Sequence, residues 1–342
     1  MSKFTIAALA VLSSINAQSH YINNTFINST QSNASNTTHV YQGFNYGSTY
    51  NNYTNKYQAD FEAEFRLAQS LIGTNGSYNS ARLYTMIQAG TTDSPIEAIP
   101  AAINTNTTLL LGLWASAGQS AFQLELNALE SALQQYNDSL INITAGISVG
   151  SEDLYRETPT SIQQDGGPGC QPDQLVQYIN SVKSLLSRYN YSDVLVGHVD
   201  TYTAWINTTN WNVLNASDFV GMDAYPYYQK TMDNQIALSN ATFWDAYNQT
   251  VSAVYATGGN QSVWITETGW PVSGPQENAA IASVQNAEYY YQSVACTAFR
   301  NNITTYWYTM RDADPILPSP SFGLVNASVP YGHTLYNITC PQ

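Results

Sequence analysis

Eight short apolar runs recur along the chain, at residues 40–46, 81–84, 108–114, 143–149, 194–199, 219–225, 263–266 and 304–309. Runs of this length, rich in aliphatic and aromatic residues, read as strands buried on both faces. Between them lie stretches with apolar residues at three-and-four spacing, among them residues 61–68, 122–136, 175–189 and 278–299, which read as amphipathic helices. Strand alternating with helix implies right-handed crossovers and a parallel sheet. Eight such units over about 300 residues match a closed barrel rather than an open doubly wound sheet. No Gly-x-Gly-x-x-Gly follows a run, which weakens a dinucleotide-binding alternative. The predicted fold is α/β, a single (β/α)8 TIM barrel occupying residues 40–342.

The segment before it has a different character. Residues 1–17 combine Lys3, a short apolar run at 4–12 and the end Ile15-Asn16-Ala17, which reads as a signal peptide cut after Ala17. Residues 18–39 are dominated by Asn, Ser and Thr and read as a flexible lead-in that buries too little surface to order itself. No later run of about 18 apolar residues and no hydrophobic tail is visible, so neither a membrane span nor a lipid anchor is expected. About eighteen Asn-x-Ser/Thr triplets, from Asn23 to Asn337, support a secretory route. The expectation is a secreted protein, extracellular or cell-wall associated, and monomeric.

Charge narrows the partners. The chain has 10 Lys and Arg against 24 Asp and Glu, a net charge of −14, and only 10% charged residues. The few cations form no cluster, so nucleic acid and anionic membranes are not expected partners, and a neutral polymer fits the balance. Of three cysteines, two should pair in an oxidising compartment; Cys296 with Cys340 is the preferred pair, with Cys170 left over. No Cys-x-x-Cys or His cluster suggests a metal, and no cofactor is implied.

Barrel chemistry sits at the C-terminal ends of the strands, so the polar residues that end each apolar run are the informative ones. Glu152, Asp200, Asp223, Glu267 and Asp312 hold such places. Most other glutamates, including Glu62, Glu64, Glu125, Glu130 and Glu288, fall in helical stretches where a solvated face accounts for them. A carboxylate at the end of a buried run loses water, which a fold tolerates when the group is partnered or catalytic. Structural acids bonded to Arg or backbone amides are the bland alternative. Tyr46, Tyr84, Trp114, Tyr202, Trp205, Tyr225, Tyr227, Tyr228, Trp270 and Trp307 lie near the same ends. Sugar rings have apolar C–H faces and a hydroxyl rim, so aromatic platforms beside acceptors suit carbohydrate.

Trp264-Ile265-Thr266-Glu267-Thr268-Gly269-Trp270-Pro271 resembles the nucleophile motif of glycoside hydrolase family 17, the endo-β-1,3-glucanases and β-1,3-glucanosyltransferases. Val149-Gly150-Ser151-Glu152-Asp153-Leu154-Tyr155-Arg156 is similar to that family's acid/base segment. Gly43-Phe44-Asn45-Tyr46-Gly47, Arg82-Leu83-Tyr84 and Asp223-Ala224-Tyr225-Pro226-Tyr227 follow the same family in the same order. Tyr306-Trp307-Tyr308-Thr309 and Pro318-Ser319-Pro320-Ser321-Phe322-Gly323 look most like its fungal secreted or wall-associated members. There are two departures. Ser151 stands where many members have Asn, and Arg311-Asp312-Ala313-Asp314 stands where others have an acidic pair followed by Trp-Lys.

The resemblance implies a retaining enzyme acting on β-1,3-glucan, with Glu267 as nucleophile and Glu152 as acid/base. It places Arg82 beside Glu267 and makes Tyr46, Tyr84, Ser151, Asp200, Asp223, Tyr225 and Trp270 substrate contacts. Water or a second glucan hydroxyl could take the sugar from the covalent intermediate, which separates hydrolysis from transfer. The rival expectation is a catalytically silent wall protein that binds glucan on the same barrel.

Overall fold

The computed structural model describes residues 39–312 and 317–341. The expected signal peptide, nearly all of the lead-in, and Ala313, Asp314 and Gln342 lie outside the described residues.

Eight parallel strands close into a barrel in chain order: β1 (Gln42–Tyr46), β2 (Ser80–Leu83), β3 (Thr108–Leu113), β4 (Thr144–Val149), β5 (Val196–Thr201), β6 (Phe219–Asp223), β7 (Ser262–Thr268) and β8 (Thr305–Trp307). Each of the eight apolar runs contains or overlaps one strand. They are legible because strands covered on both faces need apolar residues at successive positions. The outer layer includes the helices Gln58–Gln69, Ala98–Thr105, Gln119–Tyr136, Pro172–Arg188, Trp211–Ala216 and Ile236–Ala256. Between β7 and β8 one helical stretch is built from Val284–Tyr290, a π-helical Tyr291–Ala295 and Cys296–Arg300.

Two apolar regions form. The larger fills the space between strands and helices. The smaller, Leu110, Phe219, Trp264 and Tyr306, is a separate cluster of strand residues. Phe219 and Trp264 stack there with ring centroids 4.1 Å apart. Polar strand residues Asn45, Arg82, Ser148, His198 and Thr266 are buried nearer the other end of the strands, and the carboxylates follow them.

No helix follows β8 among the described residues. An irregular tail takes that place. Gly332 accepts a hydrogen bond from Ile72 N, beyond the helix Gln58–Gln69, while Gln292 Nε2 donates to the carbonyl of Asn337. Tyr336 and Ile338 are buried, and a Cys296–Cys340 disulfide fastens the end. Cys170 is free and buried.

Two glutamates expected on solvated helix faces are not there. Glu64 is 9% exposed and pairs with Lys56 at 2.8 Å. Glu125 is 4% exposed and accepts from Thr85 Oγ1 and Met86 N. Helical periodicity gives the face a residue occupies, but not whether a loop folds over it.

Candidate active site

The site begins at the end of β7. Register shifts occur here against both neighbours, at Met222/Asp223 and at Ile265/Thr268. Such an irregularity re-aims side chains. Thr266 and Glu267 are adjacent in sequence, yet both bond to groups on other strands of the same end: Thr266 Oγ1 donates to Asp223 Oδ1, and Glu267 meets Arg82.

Glu267 is 5% exposed and every bond to it comes from a donor. Arg82 Nη1 lies 2.6 Å from Oε1, Tyr84 donates to the same oxygen at 2.6 Å, and Tyr225 donates to Oε2 at 2.8 Å. Charge-assisted bonds of this kind are short and fix the orientation of the carboxyl group. Arg82 is 0% exposed. Burial works against its charge, but the carboxylates of Asp223 and Glu267 raise its pKa above the ordinary value. Its other nitrogen, Nη2, donates to Ser151 Oγ at 2.9 Å. Arg82 therefore ties the end of β7 to the residue before Glu152.

Glu152 has the opposite setting. It lies three residues beyond β4 in a left-handed conformation, φ 58° and ψ 25°, which costs a non-glycine residue on the order of 1 kcal/mol. Gly150 makes the turn possible, because at its φ of +82° an added Cβ would stand 2.0 Å from Asp153 Oδ2. The Ser151 amide donates to that oxygen, and Glu152 N donates to the Val199 carbonyl. Oε1 of Glu152 is buried without a hydrogen-bond partner among the described residues. Oε2 lies 4.0 Å from Arg156 Nη2. Burial first, then the charge of Glu267, pushes the Glu152 carboxyl up to about 8, against the pull of Arg156. One acid is therefore surrounded by donors and the other is held protonated by its surroundings.

Asp223 is 1% exposed and pairs in register with Glu267. Burial first, then Glu267, raises its pKa well above the usual carboxylate value.

The other expected contacts take different places. Asp200 is 0% exposed; its oxygens accept from Leu154 N, Tyr155 N and Thr201 N, and His198 Nε2 lies 3.0 Å away. It therefore holds the turn that follows Glu152. Tyr46 is 4% exposed and packs edge-on against Phe65 in the helix layer. Trp270 is 1% exposed, packs on Tyr227 and Tyr290, and donates to the Ile281 carbonyl. Asn45, which the sequence reading did not single out, accepts from Arg82 at 2.9 Å. Strand alternation could have found it, since in β1 the neighbours of an outward Tyr46 must face inward. Arg156 was also missed; its Nη1 donates to the Gly166 carbonyl at 2.7 Å and its guanidinium lies 5.3 Å from the Trp114 ring centroid.

The barrel matches solved structures. A glycoside hydrolase family 17 β-1,3-glucanosyltransferase from Rhizomucor miehei superposes with a TM-score of 0.68 at 24% identity, over 87% of this chain and 98% of that one. An active-site mutant of the Rhizomucor enzyme in complex with laminaritriose gives 0.69 at 24% identity, over 88% and 98%. In sequence, the probable glucan endo-1,3-beta-glucosidase eglC of Aspergillus fumigatus is 48% identical over 301 residues, which is 88% of this chain and 66% of that protein. The chain spans 61% to 66% of the length of the Aspergillus relatives it matches. A glucan 1,3-beta-glucosidase of Saccharomyces cerevisiae is 30% identical over 263 residues, 74% of this chain and 75% of the yeast protein. The family model of the BtgE/BtgC glycoside hydrolase domain matches residues 43–316, and the chain belongs to that family.

Proposed function

We propose that this protein is a retaining β-1,3-glucan-active glycoside hydrolase or glucanosyltransferase of the family 17 type. The supporting observation is the contrast between two glutamates at one end of the barrel. Glu267 is surrounded by Arg82, Tyr84 and Tyr225 as donors, and Glu152 is pushed up to about 8. Double displacement needs this pairing, an ionised nucleophile and a protonated acid that later serves as base.

In this reading Glu267 attacks the anomeric carbon while Glu152 gives its proton to the departing glucan oxygen. Arg82, Tyr84 and Tyr225 aim Glu267 and steady its charge before attack. Glu152, now a carboxylate near Arg156, withdraws a proton from water or from an acceptor glucan hydroxyl, which then releases the sugar from Glu267. Asp223 lies beside Glu267, and burial together with the Glu267 charge raises its pKa well above the usual carboxylate value. The relatives' names and the laminaritriose complex of the Rhizomucor enzyme support a β-1,3-glucan as substrate. The proposed setting is secreted, extracellular or cell-wall associated, with the protein acting as a monomer in glucan remodelling.

The test is incubation with a linear laminari-oligosaccharide, with products read by mass. Shorter chains mean hydrolysis and longer ones transfer. No change in chain length would leave only glucan binding. Glu267→Ala should abolish turnover, and a 2-fluoro glucosyl donor should label a peptide containing Glu267.

A further inference from the structure

The asparagine acceptor triplets are distributed unevenly over the barrel. The seven helix-to-strand passages form the floor, the end opposite the carboxylates. Each carries an Asn-x-Ser/Thr. Asn75 precedes β2, Asn106 precedes β3 and Asn190 precedes β5. Asn137 and Asn142 both precede β4, and Asn215 lies in the last turn of Trp211–Ala216 before β6. Asn260 leads into β7 and Asn302 into β8. All eight are exposed.

The other end is nearly bare. The strand-to-helix connections that surround the cleft carry Asn52 and Asn207, the helix Ile236–Ala256 carries Asn240 and Asn248, and the tail after β8 carries Asn326 and Asn337. Residues 150–171 and 269–283, which follow the strands bearing Glu152 and Glu267, carry none.

Turn geometry explains part of this pattern. Asn75, Asn106, Asn137, Asn190 and Asn302 have φ between 46° and 63°, the left-handed region that asparagine tolerates at helix ends. That requirement does not extend to a hydroxyl residue two positions later, nor does it apply to Asn142, Asn215 and Asn260. The chain has 33 asparagines, and 66 of its 342 residues are Ser or Thr. Random placement would give about six acceptors, against eighteen in the chain. With only 10% charged residues, the surface also has few ions to keep it hydrated.

We infer that the floor of the barrel is its glycosylated face, with N-linked oligosaccharides on the exposed asparagines of the helix-to-strand passages and few at the cleft rim. This rests on the secretory route in the proposed function. The linkage forms when asparagine Nδ2 bonds to the anomeric carbon of a lipid pyrophosphate-linked oligosaccharide. An N–C bond replaces the C–O bond, the lipid pyrophosphate leaves, and the amide loses one proton. A polymer lying across the strand ends then meets little attached sugar.

To test this, the full chain is expressed through the secretory pathway of a fungal host. Peptides are then treated with peptide N-glycosidase in heavy-oxygen water, which converts each occupied asparagine into labelled aspartate. Label is expected on most of the eight floor asparagines and at clearly lower extent on Asn52 and Asn207. A secreted chain with an unlabelled floor, or with Asn52 and Asn207 labelled as fully as the floor, overturns this inference and leaves secretion standing. A chain retained inside the cell without label overturns both. In a second series Asn106, Asn137, Asn190 and Asn302 are each replaced by Gly, which the left-handed backbone accepts. The secreted protein should lose one oligosaccharide per substitution while turnover per folded molecule is unchanged; constant mass across the series overturns the inference.

Discussion

Arg82 and Glu267 meet at 2.6 Å with the guanidinium at 0% exposure and the carboxylate at 5%. A buried cation of this kind is tolerable because each side of its planar fork is used: Nη1 reaches Asn45 and Glu267, and Nη2 reaches Ser151. The pair couples Glu267 to the segment carrying Glu152.

Arg82→Ala should destabilise the fold by about 3–5 kcal/mol, because buried Glu267 and Asp223 lose their cation. Arg82→Lys keeps the charge but cannot fork, and kcat should fall by about 10²-fold. Thermal melts and steady-state rates on laminari-oligosaccharides check both. A Lys variant with full kcat would show that the fork does not position Glu267 for the reaction.

Arg156 pulls the pKa of Glu152 down against burial and Glu267. Arg156→Gln should therefore raise the Glu152 pKa and move the alkaline limb of the pH–rate profile upward from its place near 8, with Arg156→Lys lying between. An unmoved limb in the Gln variant would remove Arg156 from that role.

Stability should fall as the pH rises from about 5 to 8. Glu152 is held near 8 when folded, against an ordinary value of 4.5, so across that window the folded chain binds the extra proton and loses stability as pH increases. His198 acts with the same sign: burial opposes its charge, but Asp200 raises its pKa overall. Its contribution is present below about 6.5 and is lost as pH passes its folded value. Calorimetry across this range should show a falling Tm. Glu152→Gln should flatten the fall and melt above the wild type at pH 8–9; parallel curves would contradict the assignment.

The Cys296–Cys340 bond closes a loop with a sequence separation of 44. Cys340→Ser should lower stability by about 2–4 kcal/mol by freeing the unfolded chain. At low temperature kcat should be unchanged, since the bond lies in the helix layer and tail. A loss of kcat without a change in Tm would contradict that placement.

The eight strands were visible in the sequence because strands covered on both faces must be apolar in succession, and Glu152 and Glu267 stood out as glutamates ending such runs. What was hidden depended on direction. Tyr46 and Asn45 are adjacent, and only the phase of β1 decides which faces Arg82. Asp200 ends a strand like the other acids, but its oxygens turn to the amides of Leu154 and Tyr155, partners that a linear reading cannot supply. Lys56 folding over Glu64 and the absence of a helix after β8 among the described residues are likewise tertiary outcomes, not local preferences.

The irregular tail has a mechanical consequence. Where the rest of the wall is a helix thick, the seam between β8 and β1 is covered by a loosely bonded strap whose end is stitched by one covalent link. Amide exchange should be fastest along that meridian, and heat or reductant should let solvent in there first, while the carboxylates at the top still stand in place.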